Sequence, residues 1–318
     1  MIRNLIRTAV AILLLLASAE VRAEQARKIA PGVLKVIPSE PMPEETFEGP
    51  IPLVNVSRLD WDPHFSAKSY TLREMAAKTV LRRNIWALEF AFKPLRMIYA
   101  DVPQPTGKMQ RKLIWYMVYR ITNKGQHIVP VAMKDNFGHK TYGSQQSPAV
   151  VNTGSVDPSP EIRFFPEFVF ESLERKKAYP DRVIPIVIPL IEQRETGGGK
   201  LFSTVEISRL SIPVSTDTAD RSVWGVAMWE DIDPETDFFS IYVQGLTNAY
   251  RLGASTSGGV AYLFKTLQLN FWRPSDQFFE HEREIRYGIP AVSTPEEQAK
   301  ILANYGISQR LDYLWVYR

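Results

Sequence analysis

The chain of 318 residues contains no cysteine. That absence removes disulfide bridges, a thiolate nucleophile and any cysteine-ligated zinc. It also removes the lipid-bearing cysteine of a bacterial lipoprotein. Histidine is scarce. His64, His127, His139 and His281 are the full complement of 4, and none stand at H-x-H or H-x-x-x-H spacing, so packing or surface roles fit them better than a metal cage. An excess of one charge sign is missing too. The 38 basic and 35 acidic residues are interspersed, which leaves no whole-chain footprint for nucleic acid or for an anionic membrane. Internal repeats are absent.

Only one apolar run is long, and it lies at the start. Arg3 and Arg7 precede an apolar stretch from Ala9 to Ala17, followed by Ala17-Ser18-Ala19 as an A-x-A cleavage site and Val21-Arg22-Ala23 as a second. The pattern is that of a secretory signal peptide over 1–19 or 1–23, and its apolar part is short for a bilayer span. No transmembrane span is therefore expected after cleavage. Loss of Arg3 and Arg7 leaves 36 basic residues against 35 acidic, a net charge of +1. The expected location is periplasmic or extracellular, since an exported chain without cysteine suits a bacterial envelope.

What is present reads as mainly β. Aromatic residues make up 11% of the chain and prolines number 23, a composition of β-rich globular proteins. Residues 24–68 hold prolines at 31, 38, 41, 43, 50 and 52, which preclude a helix and favour an extended arm with a short edge strand. Thr71 and Glu74 form a capping box that opens a helix to about Arg82. The organising stretch is Arg111 to Asp135. Leu113, Trp115, Met117, Tyr119 and Ile121 alternate as one apolar face, and Ile114, Tyr116 and Val118 start a second. A strand apolar on both faces lies mid-sheet, covered above and below.

Further strands follow from the same period of two. Trp86, Leu88, Phe90 and Phe92 point inward, with Glu89 and Lys93 outward. Leu267, Leu269 and Phe271 point inward, with Thr266, Gln268 and Asn270 outward. Residues 205–214 read as a strand, and 221–229 with 237–246 as a hairpin around Glu230 to Thr236. From about 144 to 202 the pattern degrades into a proline-rich stretch read as a long insertion. Thr294, Pro295 and Glu297 open a final helix that Gly306 closes, with Ile301, Leu302 and Tyr305 as its docking face. The expected domain plan is an arm over 24–68, a β-sandwich over 69–290 with its insertion, and a helix with a docked tail over 291–318.

Two local patterns carry a resemblance. A strand ends Tyr119-Arg120-Ile121-Thr122-Asn123-Lys124-Gly125, and Val223-Trp224-Gly225-Val226-Ala227-Met228-Trp229 comes late, followed by an acidic turn. Over roughly residues 84–272, minus the insertion, this resembles the immunoglobulin-like sandwich modules of exported bacterial proteins. The resemblance implies an elaborated immunoglobulin-like β-sandwich with peripheral helices. It carries no catalytic residues, and the cysteine pair and tryptophan spacing of antibody-type domains are missing.

Asp231, Asp233 and Asp237, with Glu230 and Glu235, place carboxylates at alternating positions, as a calcium loop does. Counted from Asp231, however, position six is Thr236 and position twelve is Tyr242, where Gly and a bidentate Glu belong. Asp231, Asp233 and Asp237 thus remain the one candidate Ca²⁺ set beside a solvated turn. Glu282 and Arg286 have the spacing of a helix ion pair. Gly253-Ala254-Ser255-Thr256-Ser257 lacks the closing Gly of a nucleophile elbow, and Gly197-Gly198-Gly199-Lys200 lacks the rest of a phosphate loop. Trp224 and Trp229, at odd spacing on one strand, point to opposite faces, so one is a candidate for stacking on a sugar or anchoring a partner. The functional expectation is an exported, non-enzymatic binding or structural module whose partner is a protein or glycan of the cell envelope, with no resident cofactor. The alternative is a carbohydrate-active hydrolase using a carboxylate pair. The intact mass of the exported protein is expected to match a chain beginning at Glu20 or Glu24, which mass spectrometry checks.

Overall fold

The structure, a computed structural model, describes residues 34–48, 81–134, 136–138, 140–147, 162–197, 199–233, 235–254, 260–274 and 285–318. The expected signal peptide and most of the helix read after Thr71 lie outside the described residues. The first strands are β1 (Lys35–Ile37), β2 (Phe47–Glu48), β3 (Leu81–Arg82), β4 (Ile85–Trp86), β5 (Glu89–Phe92) and β6 (Arg96–Pro103). Then come β7 (Met109–Thr122), β8 (His127–Lys134), β9 (Lys140–Ser147), β10 (Glu167–Ser172), β11 (Lys177–Pro180), β12 (Val223–Trp229) and β13 (Phe238–Gln244). The last are β14 (Tyr250–Ala254), β15 (Val260–Trp272), β16 (Arg286–Tyr287) and β17 (Tyr313–Tyr317). Among the described residues three short helices intervene: α1 (Ile188–Glu195), α2 (Thr204–Ile207) and α3 (Pro295–Ala303). The protein is mainly β, with several antiparallel sheets.

Strand β7 holds the first sheet together. It pairs with β5 and β6 along one edge and with β12 along the other, and β1 adds to β5, making five strands. A seven-stranded sheet runs β11-β10-β13-β15-β14, with β16 and β17 also on β15. The two sheets share one apolar core. Trp115 of β7 meets Phe170 and Phe239 edge-on at 5.6 and 5.8 Å, and Phe92 of β5 meets Phe271 of β15 at 6.0 Å. Such edge-to-face contacts suit the ring quadrupoles.

The alternate face of β7 has its own cover. Ile114, Tyr116 and Val118 are buried with Ile184, Val187, Ile191 and Leu201 from α1 and its flanks. Strand β7 is thus closed from both sides, as its double apolar pattern requires. On the face toward the shared core, Gly225 of β12 makes room for the Tyr119 ring, since a Cβ on it would lie 2.5 Å from that side chain. The tyrosine's full burial holds its phenol pKa well above the ordinary value.

Several local expectations differ from what is observed. Strands β12 and β13 do not form a hairpin, because β12 pairs with β7 in one sheet and β13 with β10 and β15 in the other, so 230–237 crosses between sheets. Residues 205–214 begin as α2 and not as a strand. Ser203 caps that helix, with its hydroxyl accepting from the Glu206 amide and Glu206 accepting back. The helix read to Arg82 has given way to β3 by Leu81. Within the stretch read as an insertion, β10 and β11 join the seven-stranded sheet and Phe168 and Phe170 enter the shared core.

Two outward assignments are reversed by distant partners. Lys93 is buried and faces Glu195 of α1, whose carboxylate also takes Arg96 at 2.6 Å and the Tyr116 hydroxyl at 2.8 Å. Thr266, Gln268 and Asn270 are buried under the C-terminal segment, where Gln268 donates to the Tyr305 carbonyl and Asn270 to that of Leu311. The last helix and tail form where expected, as α3 and β17. Gly306 takes φ +69° just past the helix, as a left-handed C-terminal stop requires. Replacing Glu195 by Ala strands two cations in the second core and is expected to cost about 3–5 kcal/mol, measured by denaturant unfolding.

Candidate functional site

The segment after β1 is fixed by one buried carboxylate. Glu45 sits in a 3₁₀ turn, Pro43–Thr46, and its side chain accepts the Met42 amide at 3.0 Å. Across from it, Lys265 of β15 donates to Glu45 Oε1 at 2.6 Å, with both side chains 2% exposed. The Tyr317 hydroxyl donates to the same oxygen at 2.7 Å, and the Lys265 ammonium lies 5.3 Å from the centre of the Trp315 ring. Burial first, and the Glu45 carboxylate next, push the Tyr317 phenol above its ordinary pKa.

The arm and the tail so joined enclose an open cleft of about 650 Å³. Its aromatic lining is Tyr287 of β16 with Tyr313 and Trp315 of β17, the latter two on one face because a strand repeats every two residues. Lys35 and Glu40 line it from the arm, Arg310 and Asp312 from the segment before β17. Lys35 Nζ stands 5.4 Å from the Tyr287 ring centre, and the Tyr313 hydroxyl reaches Glu40 at 3.4 Å. Arg310 is held by the Ile289 carbonyl at 2.7 Å. Gly288, at φ +96°, admits Asp312, whose Oδ1 would lie 2.5 Å from any Cβ there. Aromatic faces rimmed by both charge signs can stack on a ring-shaped polar ligand and hydrogen-bond its edges.

The carboxylates singled out from sequence lie elsewhere. Asp231 pairs with Lys112 at 2.8 Å, Asp233 with Lys177 at 2.6 Å, and the Asp237 carbonyl accepts the Arg273 amide at 2.9 Å. Glu230 takes Lys112 and Arg182, and Glu235 takes Arg175 at 3.2 Å. The Lys177 bond holds Asp233 below the usual carboxylate range. Glu230, Asp231, Asp233 and Glu235 are thus engaged by lysines and arginines from β7 and from the β10–β11 region. Among the described residues no three His, Asp or Glu side chains are grouped to hold a metal. Of the histidines, only His127 is described, and it is half-buried with its pKa lowered by burial. Residues 255–259 and 275–284, with Ser255, Ser257 and Glu282, lie outside the described residues. Trp229 is in the core, while Trp224 is half-buried with the Arg120 guanidinium 5.8 Å from its ring centre.

The cleft was not singled out from sequence. Its one visible signal is the alternation of Tyr313, Trp315 and Tyr317 in the tail. No family model matches the chain, and neither the curated proteins nor the solved structures compared with it include a match. Glu45→Ala leaves Lys265 buried without its carboxylate. It is expected to destabilise the protein by about 3–5 kcal/mol and to speed proteolysis between residues 34 and 48, read by limited digestion.

Proposed function

We propose that the protein is an exported, non-enzymatic binding module of the cell envelope, and that the cleft between arm and tail is its binding site. The observation that carries this reading is the convergence of Tyr287, Tyr313 and Trp315 with Lys35, Glu40, Arg310 and Asp312 around one open space. A glycan of the envelope suits that lining better than an apolar ligand. Sugar rings stack on aromatic faces, and their hydroxyls donate to carboxylates and accept from lysine and arginine. Periplasmic or extracellular placement belongs to the same proposal and rests on the Arg3–Ala19 signal pattern.

The immunoglobulin-like reading of the fold stands as part of this proposal. Its support is the antiparallel pairing and the central strand covered on both faces. The crossing between sheets at 230–237 departs from the hairpin on which that resemblance was drawn. A second reading, a glycan hydrolase, is favoured by Glu40 and Asp312 lining one cleft.

A soluble glycan array followed by calorimetry decides between them. Trp315→Ala and Tyr313→Ala are each expected to weaken glycan binding about tenfold, in line with the loss of an aromatic anchor. Under the binding reading Glu40→Gln and Asp312→Asn change affinity and no product forms. Product release abolished by either variant would establish the hydrolase.

A further inference from the structure

Strand β17 bonds β15 along one side only, and its other edge is open. Phe264 and Arg318 exchange both backbone hydrogen bonds, at 2.8 and 3.2 Å, and the Asn270 amide donates to the Asp312 carbonyl at 3.0 Å. Antiparallel pairs alternate, so Leu314 and Val316 bond β15 in turn. Tyr313, Trp315 and Tyr317 therefore point their backbone N–H and C=O groups away from it. Among the described residues no strand pairs with that edge.

Other edges are covered or blunted. Along β12 the Phe202 amide donates to the Trp224 carbonyl, the Val226 amide to the Phe202 carbonyl, and the Arg182 amide to the Met228 carbonyl. On β6 the Arg194 guanidinium takes the Met97 carbonyl at 3.0 Å, and Pro103 has no N–H to offer. Strand β11 carries Lys177 and ends at Pro180. Lysine and proline on an edge deter an added strand. The run Tyr313-Leu314-Trp315-Val316-Tyr317 holds neither. An open row of alternating donors and acceptors is a template for an extended peptide backbone.

That edge opens into the cleft between arm and tail. Tyr313 and Trp315 line the cleft, and so does Leu314, whose side chain belongs to the opposite face of the strand. The cleft thus runs along the edge of β17 as well as over its aromatic face. Tyr317 is not in the lining, so two outward residues remain, enough to pair with about three residues of ligand. A protein strand is ordinarily about five or six residues long, and a volume of about 650 Å³ is that of a small-ligand site. We infer that the ligand is a glycan carrying a short peptide branch, with its sugar against Tyr313 and Trp315 and its peptide extended along β17. This rests on the glycan reading of the cleft and adds a peptide held by main-chain hydrogen bonds.

The test is calorimetry of the full chain with three probes: a disaccharide–tetrapeptide fragment of peptidoglycan, the same disaccharide without peptide, and the free tetrapeptide. The joined fragment is expected to bind about tenfold tighter than the disaccharide, the worth of one or two hydrogen bonds. Amide hydrogen exchange at Tyr313 and Trp315 is expected to slow with the joined fragment and not with the disaccharide. Trp315→Ala and Trp315→Pro both remove the ring, and only the proline removes an N–H that makes no bond to β15. The alanine variant is expected to keep the tenfold ratio and the proline variant to lose it, at matched thermal unfolding. The exchange measurement uses the unaltered chain and holds even where proline disturbs the strand. Equal affinity for disaccharide and joined fragment overturns the inference and leaves the glycan reading standing, as does exchange unaltered by the joined fragment. Binding of neither saccharide overturns both. Free peptide bound as tightly as the joined fragment assigns the edge to protein segments and overturns the peptide-bearing glycan.

Discussion

With no disulfide available, the fold depends on burying both faces of β7. On one side Trp115, Met117, Tyr119 and Ile121 enter the core shared with the larger sheet, and on the other Ile114, Tyr116 and Val118 meet α1 and its flanks. Each large side chain so buried contributes about 1.5–3 kcal/mol, and the strand's backbone groups are taken up by β5, β6 and β12. Neither cover suffices alone. A strand with this sequence facing water on one side would expose a row of aromatic and branched residues. Glu195, bound by Lys93, Arg96 and Tyr116, ties the end of α1 to the first sheet.

Much of this was legible as periodicity. The apolar alternation in β7 and β15 and the Gly306 stop of α3 are local properties that survive in the structure, whereas Thr294 makes no side-chain capping hydrogen bond. Partner choice is not local. The 221–246 stretch reads as strand, turn, strand in either a hairpin or a crossing, because nothing within it states which sheet each strand joins. Polar residues were misplaced for the same reason. Lys93 and Gln268 point inward because Glu195 and the Tyr305 carbonyl await them from distant parts of the chain. At α2 the capping box of Ser203 and Glu206 outweighs the branched side chains of Val205 and Ile207 that favour a strand.

The candidate site was less legible than the fold. A cleft between an N-terminal arm and a C-terminal tail has its halves more than two hundred residues apart in sequence, since Glu45 and Lys265 are separated by 220 positions. Aromatic alternation in the tail marks a strand equally well whether its face is packed or open. The acidic run at 230–237 drew attention because its charges are adjacent in sequence, yet Lys112, Lys177, Arg175 and Arg182 neutralise it in space.

The clasp of Glu45 by Lys265 and Tyr317 also orders events in time. A polypeptide threaded N-terminus first presents its acid long before the tyrosine 272 positions later arrives to receive it. Closing so large a loop is entropically slow and comes after the nearby strand pairings. Until the final residues emerge, the buried Glu45 carboxylate lacks its full pair of side-chain partners, and the arm stays unlocked.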